Sequence, residues 1–164
     1  MRNNIIQVIQ LMPKAMINTY TPGQSQPPGA TSRQVVLDYT PDPKFHPPTM
    51  FAEVLTGFQG RVWIDESTQT MTRIEGKVLH PVNFGFGILA HIYPGGTLEF
   101  EQTDAGANHW VYSNVNEHLT VRALMVKTVP ENVKMTSSNI EMMPSLISYQ
   151  DAIHLLLAEQ IPLR

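Results

Sequence analysis

The chain has 164 residues, of which 42% are hydrophobic and 15% charged, and it carries a formal net charge of −3 and no cysteine. This length suits one domain with a real core. The eleven Lys and Arg residues form no basic run, so we do not expect electrostatic capture of nucleic acid or of an anionic membrane surface. The missing cysteines exclude disulfides, thiolate nucleophiles and cysteine-based zinc sites.

The low charge content is open to two interpretations. Soluble domains are usually about 25% charged, so the chain has fewer charges than is typical. It either keeps apolar surface for a partner or ligand, or fills its polar positions with Thr, Ser, Asn and Gln.

Residues 1–48 are predicted to be a loop-rich part of the same domain. The spacing of apolar residues over 1–11 predicts a helix that Pro13 ends, and strands are expected at 15–19 and 33–39. Prolines and glycines are frequent between these segments, which favours loops. A short helix over 49–55, with Thr49 as its N-cap and Gly57 beyond its end, then leads into the sheet.

The clearest pattern is a β-hairpin. Residues 60–65 and 71–76 both alternate in polarity, and four polar residues separate them, which predicts antiparallel strands near 58–65 and 70–79. In the first of these strands, alternation separates two sets of side chains onto opposite faces: Val62 and Ile64 on one, and Arg61, Trp63 and Asp65 on the other.

An antiparallel meander is predicted over residues 58–143. Two glycine-containing segments, 84–87 and 94–96, are interpreted as bends or breaks in strands. The apolar segment 88–93 between them is expected to be a helical turn or a lid. A capping-box spacing at 148–151 predicts a C-terminal helix over 148–160, which we expect to pack on the sheet with Leu155 and Leu156 buried.

No pattern in the sequence favours catalysis, a metal or a cofactor. Glu99 and Glu101 would share one face of a strand and could act as an acid–base pair. A simpler interpretation is that Thr97, Glu99 and Glu101 form the solvent-exposed face of the strand, opposite Leu98 and Phe100. The histidines lack metal-ligand spacing, although strand pairing could bring His109 near His118 or His80. The glycines lack the setting of a dinucleotide site. We therefore expect a protein that is not an enzyme, with no cofactor and no metal.

Several segments together resemble a known family of bacterial proteins. They are Leu37–Pro41, Gly60–Asp65, Arg73–Gly76, Phe84–Leu89, Gly95–Phe100, Arg122–Leu124 and Lys127–Thr128. In their order and spacing they resemble relatives of the outer-membrane lipoprotein-sorting proteins, which share the lipoprotein-carrier (LolA/LolB-like) fold. The resemblance covers about two thirds of the chain, from Val35 to Met143.

The resemblance implies a mainly β fold with flanking helices: a strongly curved antiparallel sheet, or incomplete β-barrel, covered by short helices. It also implies an apolar hollow that holds a lipid or a lipoprotein acyl chain, and a periplasmic, at most peripherally membrane-associated protein. The chain departs from the family in having no signal peptide, which predicts a cytoplasmic protein if Met1 is the true start, and in missing the N-terminal helix and early strands, which predicts an N-terminally truncated member.

Alternation indicates which side chains could line the hollow. It places Val62 with Ile64, Ile74 with Val78 and Leu98 with Phe100 on common faces, and these six are the expected ligand-binding residues. Which face of the sheet is concave is left open.

Three functions remain as hypotheses. The first is a non-enzymatic carrier of a lipid or acyl chain in the bacterial cell envelope. The second is a protein-interaction module that pairs through an exposed sheet edge. The third, a hydrolase, depends only on scattered histidines and carboxylates.

Overall fold

The computed structural model describes residues 2–20, 23, 26, 32–140, 142 and 147–158. Within these ranges, nine strands form one antiparallel sheet, with a few short helices, and the sheet is not closed into a barrel. The strands are β1 (Met16–Tyr20), β2 (Gln34–Pro41), β3 (Phe58–Asp65), β4 (Met71–Val78), β5 (Val82–Phe84), β6 (Ala90–Ile92), β7 (Thr97–Asp104), β8 (Trp110–Ala123) and β9 (Lys127–Thr136). The helices are α1 (Arg2–Ala15), a 3₁₀ helix (Met50–Thr56) and α2 (Tyr149–Ala158).

The predicted hairpin is confirmed as β3 and β4, which pair from Phe58–Val78 to Ile64–Met71. β2 pairs with the other side of β3 and β1 with β2, so part of the loop-rich segment 1–48 belongs to the sheet. On the other side, β4 pairs with β7, β7 with β8, and β8 with β9. The meander is therefore regular in outline, but β9 ends at Thr136 rather than near residue 143.

The expectation of a helical turn or lid at 88–93 was wrong. Residues 90–92 form β6, which pairs with β5 on one side and with the end of β8 on the other. An apolar run this short fits either a helix or a strand, and neighbours on both sides satisfy its backbone groups as a strand. The glycines before it make the turn: Gly85 and Gly87 have φ of 57° and 81°.

Residues paired across antiparallel strands point to the same side, so the register divides the sheet into two faces. One row across the sheet is apolar and comprises Leu37, Val62, Ile74, Phe100, Val115 and Met135. The adjacent row is polar and comprises Thr19, Asp38, Arg61, Glu75, Glu99, Asn116 and Lys134. We call the two sides the apolar face and the polar face. The predicted division of Val62 from Arg61, and of Thr97, Glu99 and Glu101 from Leu98 and Phe100, is thereby confirmed.

The core lies where α1 and the 3₁₀ helix meet the apolar face. Ala15, Leu55, Phe58 and Val78 are buried there, and Leu11 of α1 packs against them. Pro13 does not end α1, contrary to the prediction. A proline in the last turn removes only one helical hydrogen bond. The carbonyl of the last helical residue, Ala15, accepts a hydrogen bond from the Asp42 N–H at 2.9 Å, which fixes the end of the helix.

The C-terminal helix forms as predicted but does not pack as predicted. The Asp151 N–H donates to Ser148 Oγ at 3.2 Å, which confirms the cap. No residue of α2 is buried, and Leu155 and Leu156 are 46% and 63% exposed. α1 and the 3₁₀ helix cover the part of the apolar face that forms the core, so that part is not available to the apolar side chains of α2. Residues 159 and 160, which the prediction included, lie outside the described residues.

Candidate functional site: an apolar cavity between the sheet and the N-terminal helices

A cavity of about 600 Å³ lies between the apolar face and the two N-terminal helices. Six helical side chains form its wall: Val8, Ile9 and Met12 of α1, and Phe51, Val54 and Leu55 of the 3₁₀ helix. The 3₁₀ helix is held in register by its predicted cap, because the Ala52 N–H donates to Thr49 Oγ1 at 3.4 Å. The cap satisfies one N-terminal N–H group of the 3₁₀ helix, which presents Phe51, Val54 and Leu55 to the cavity.

The sheet forms the floor of the cavity. Ile74, Leu98 and Phe100 come from β4 and β7, and the Tyr112 ring of β8 lies 6.1 Å from that of Phe100. Met71 and Phe84 complete this side. No lining residue carries a charge, so the cavity suits an apolar guest and offers no counter-ion to a charged one.

The six residues expected to bind a ligand all lie on the apolar face, but only half of them reach the cavity. Ile74, Leu98 and Phe100 line it. Val62 and Val78 are buried in the core cluster, and Ile64 packs against that cluster while partly buried. Packing in the core accounts for these three without a ligand.

The helical wall of the cavity and its two tyrosines, Tyr39 and Tyr112, were not predicted from the sequence. The apolar spacing of residues 1–11 was read as a helix, but a helical pattern alone does not say which part of a sheet the helix covers. Met71 was noted as one of several methionines beside strands, and flexible thioethers suit a cavity with a variable guest as well as an irregular core. Tyr39 and Tyr112 gave no signal beyond their places in strands.

Tyr39 lies beneath the cavity, where Gly76 leaves room for its hydroxyl. Gly60 and Gly76 are paired with each other, and Gly60 is paired with Tyr39. A Cβ on Gly76 would lie 2.6 Å from the Tyr39 hydroxyl oxygen, so the missing side chain makes room for the ring. The Tyr39 hydroxyl donates to the Glu75 carbonyl at 3.0 Å. Burial, with a smaller contribution from Glu75, raises the pKa of Tyr39 well above its usual range, so the ring stays neutral.

Glu117 lies on the apolar face beside the cavity floor, and Glu131 of β9, paired with Leu119, lies on the same face. Glu117 is paired with Leu98 and lies between Val115 and Leu119 on β8. Burial raises the pKa of Glu117, and the nearby Glu131 raises it further. A carboxylate here repels an anionic group at the edge of the floor.

The polar face carries a cluster of ion pairs around a tryptophan. Arg73 contacts three carboxylates, those of Glu75 at 3.3 Å, Glu99 at 2.5 Å and Glu101 at 2.9 Å. Its guanidinium carbon lies 4.9 Å from the centre of the buried Trp63 ring. Each carboxylate is thus engaged by Arg73, and Glu99 and Glu101 are explained as structural partners rather than as an acid–base pair.

A second ion pair, Arg61 with Asp38, borders a polar groove on the same face. Arg61 Nε donates to Asp38 Oδ1 at 2.6 Å, and this bond holds the pKa of Asp38 below its usual range. The side chains that line the groove include this ion pair and the amides of Gln59 and Asn116.

Four of the described histidines have ring-nitrogen contacts, none of them to another histidine. His91 Nδ1 lies 2.7 Å from Asn83 Oδ1, and His118 Nδ1 lies 2.7 Å from Asn132 Oδ1. Within the ranges that the structure describes, no three His, Asp or Glu side chains converge as metal ligands would. No helix in those ranges is long and apolar enough to cross a membrane.

Comparison of the chain with protein-family models, with curated proteins and with solved structures found no significant match to any of them.

Proposed function

We propose that the protein binds a lipid or acyl chain without catalysing a reaction, as a carrier-like component of the bacterial cell envelope. The observation that carries this proposal is the cavity of about 600 Å³ with an entirely uncharged, mostly aliphatic and aromatic lining. Ligand cavities are commonly about 300–1,000 Å³ and mainly apolar. The envelope location and the strongly curved, incomplete-barrel form of the sheet rest on the sequence resemblance to lipoprotein carriers.

The chemistry of the cavity favours an acyl chain over a polar metabolite. The Tyr39 hydroxyl already donates to the Glu75 carbonyl. Apart from Tyr39 and Tyr112, no side chain that lines the cavity has an oxygen or nitrogen that could form a hydrogen bond. A polar guest would lose its bonds to water and find few replacements. Each buried methylene of an acyl chain instead contributes about 0.8 kcal/mol. The polar head of such a ligand would remain in solvent, away from Glu117.

Lipid extraction followed by mass spectrometry tests the proposal directly, and titration with a fluorescent fatty acid measures the affinity. Phe100→Asp places a charge in the cavity floor and should weaken binding at least tenfold. Met135→Asp is the matched control, because Met135 lies in the same row of the apolar face, outside the cavity lining. No copurified lipid and a flat titration with the unaltered chain would rule out the carrier function, as would equal loss in both variants.

The second candidate is a module that pairs with a partner strand. Among the described residues, β1, β5 and β9 each have a neighbour on one side only. β9 is ten residues long, which is enough for a partner strand. It also carries Pro130, Lys127, Glu131 and Lys134, and proline and charges are common protections of edge strands.

Hydrogen exchange of the β9 amides separates this candidate from the first. A strand partner would protect the outer β9 amides in a concentration-dependent way, whereas a fatty acid would protect β4 and β7 beneath the cavity. Unchanged exchange of β9 across concentrations and in cell extract would reject edge pairing.

A further inference from the structure

Two hairpin tips lie side by side at one end of the sheet. The first tip, residues 85–89, joins β5 to β6, and the second, residues 124–126, joins β8 to β9. They are linked directly, because the Leu124 N–H donates to the Leu89 carbonyl at 3.0 Å. The tips therefore form one surface, although they are 35 residues apart in sequence.

This surface is apolar and unusually exposed. Phe86 is 100% exposed and Val126 is 89% exposed, and the other apolar side chains on the tips are also largely in solvent: Ile88, Leu89, Leu124 and Met125. Gly85 and Gly87 are the remaining tip residues, so neither tip has a polar side chain. Clusters of this kind on a protein surface usually mark contact with a membrane or another protein.

Turn geometry does not explain these residues. Phe86, Leu124 and Met125 have φ of 58°, 49° and 57°, the left-handed region that Gly and Asn adopt at much lower cost. A hairpin selected only for folding would carry Asn, Asp or Gly there. The bulky apolar side chains are thus present despite the conformational cost of these positive φ angles, which indicates a role other than stabilising the fold.

The charged residues next to the tips along the chain are cations. Residues 76–98 and 118–130, which carry the tips, contain no Asp or Glu. Lys127 directly follows the second tip, and Arg122 on β8 is paired with His91 on β6. Glu66 and Asp104 lie near the turns that follow β3 and β7, whereas Glu53 lies on the 3₁₀ helix that contacts β5, and Glu131 lies on β9 opposite Leu119. The sequence has no basic run, but folding brings these cations beside an apolar surface.

We propose that the paired tips insert into the surface of a lipid bilayer that contains anionic headgroups. Phe86, Met125 and Val126 would enter the acyl region, while Lys127 and Arg122 would lie at the level of the phosphates. A protein interface usually includes about one hydrogen bond per 100–200 Å², and the tips offer no polar side chain for one. A bilayer requires none and gains from both features, the apolar insertion and the adjacent cations.

This inference does not depend on the ligand of the cavity. Phe84, which lines the cavity, directly precedes the first tip. A membrane-bound tip would therefore hold the cavity close to a source of lipid, but adhesion can be measured whether or not the cavity is filled.

Vesicle flotation with phosphatidylcholine, with and without phosphatidylglycerol, tests the proposal. The tip variant Phe86→Asn with Met125→Asn should lose at least tenfold in binding, and it should fold normally because Asn suits both left-handed positions. Lys127→Gln should lose about fivefold on anionic vesicles only. The matched control is Leu156→Ser with Leu157→Ser, which removes two apolar side chains that are also more than half exposed, from α2, and should retain binding.

The lack of cysteine allows a second readout. A fluorophore sensitive to polarity, attached through Phe86→Cys, should shift to the blue on anionic vesicles, whereas one attached through Ile17→Cys on β1 should not. The proposal is overturned if the unaltered chain does not float with vesicles, if the tip variant binds as well as the unaltered chain, or if the α2 variant alone loses binding. Concentration-dependent self-association that the tip variant abolishes, without vesicle binding, would assign the surface to a second copy instead.

Discussion

Tyr39 is the residue on which the position of the cavity floor depends most directly. Its ring fills the space that Gly76 leaves, and its hydroxyl is bonded to the backbone of β4. The close approach of ring and strand requires the absence of a Cβ, and this requirement couples the two residues.

The coupling between Tyr39 and Gly76 can be measured. Gly76→Ala should lower the free energy of unfolding by about 1–3 kcal/mol, because the added Cβ forces the ring to move. Tyr39→Phe alone should cost about 0.5–1.5 kcal/mol through the lost hydrogen bond. In the double variant the cost of Gly76→Ala should fall, since the oxygen nearest to the new Cβ is gone. Urea denaturation of the four proteins gives the interaction energy, and strict additivity would contradict the packing described.

A second single residue, Asp65, stabilises the turn between β3 and β4. Its buried carboxylate accepts hydrogen bonds from the Ser32 hydroxyl, from the Ser67 N–H at 2.9 Å and hydroxyl at 2.6 Å, and from the Thr68 N–H at 2.9 Å. Hydrogen bonds from Ser32, Ser67 and Thr68 hold the pKa of Asp65 well below its usual range.

This shift predicts a pH dependence of stability. Because folding favours the ionised form, Asp65 stabilises the fold above its ordinary pKa of about 3.9 and loses this effect as the pH falls toward the lowered pKa of the folded state. Asp65→Asn should therefore lower the melting temperature at neutral pH and weaken its decline between about pH 4 and pH 2. Asp104→Asn, at an exposed turn, should leave that decline intact. Equal acid profiles for Asp65→Asn and the unaltered chain would contradict the role of the carboxylate.

At the scale of elements, the two helices near the termini differ in what holds them. α1 packs on the sheet and lines the cavity, whereas α2 has its cap but no buried residue. Amphipathic spacing predicts that a helix has an apolar side, but the amount of core available decides whether that side is covered.

The difference between buried and exposed helices predicts contrasting effects of the same substitution. Leu156→Asp in α2 should change the free energy of unfolding by no more than about 0.5 kcal/mol, as is usual for exposed positions. Leu55→Asp in the 3₁₀ helix should destabilise by about 3 kcal/mol or more, because Leu55 is buried in the core. Thermal unfolding followed by circular dichroism distinguishes the two. A marked loss of stability in Leu156→Asp would show that α2 packs against the domain in solution.

The molecule as a whole combines an apolar cavity with two apolar hairpin tips that are followed and flanked by the cations Lys127 and Arg122. These features lie on one sheet, so a ligand in the cavity stabilises the structure that presents the tips. Binding to the folded state alone raises stability by mass action.

Ligand binding should therefore be visible in the stability of the whole domain. A fatty acid at about 100 times its dissociation constant should stabilise by about 2.7 kcal/mol, which corresponds to a rise in melting temperature of roughly 5–10 °C for a chain of this size. Phe100→Asp should abolish the rise, and the tip variant Phe86→Asn with Met125→Asn should retain it. A rise that survives Phe100→Asp would place the ligand outside the cavity.

Local patterns in the sequence were sufficient for much of the sheet. Alternation around Val62 and Arg61 predicted both the pairing of β3 with β4 and the division of faces, because side chains in a strand point alternately to opposite sides. The cap at Thr49 and the turn at Gly85 were also predictable, since both depend on the conformational preferences of a few neighbouring residues.

Only the tertiary structure decided which apolar residues form a site. Alternation places Val62 and Ile74 on the same face of the sheet, yet Val62 is buried in the core and Ile74 lines the cavity. The difference arises because α1 and the 3₁₀ helix pack directly on one part of this face and leave a cavity above another part. The failure of α2 to pack and the link between the two hairpin tips through Leu89 and Leu124 have the same origin. Each depends on contacts between residues distant in sequence, and a local pattern shows that a side chain needs cover without showing what will provide it.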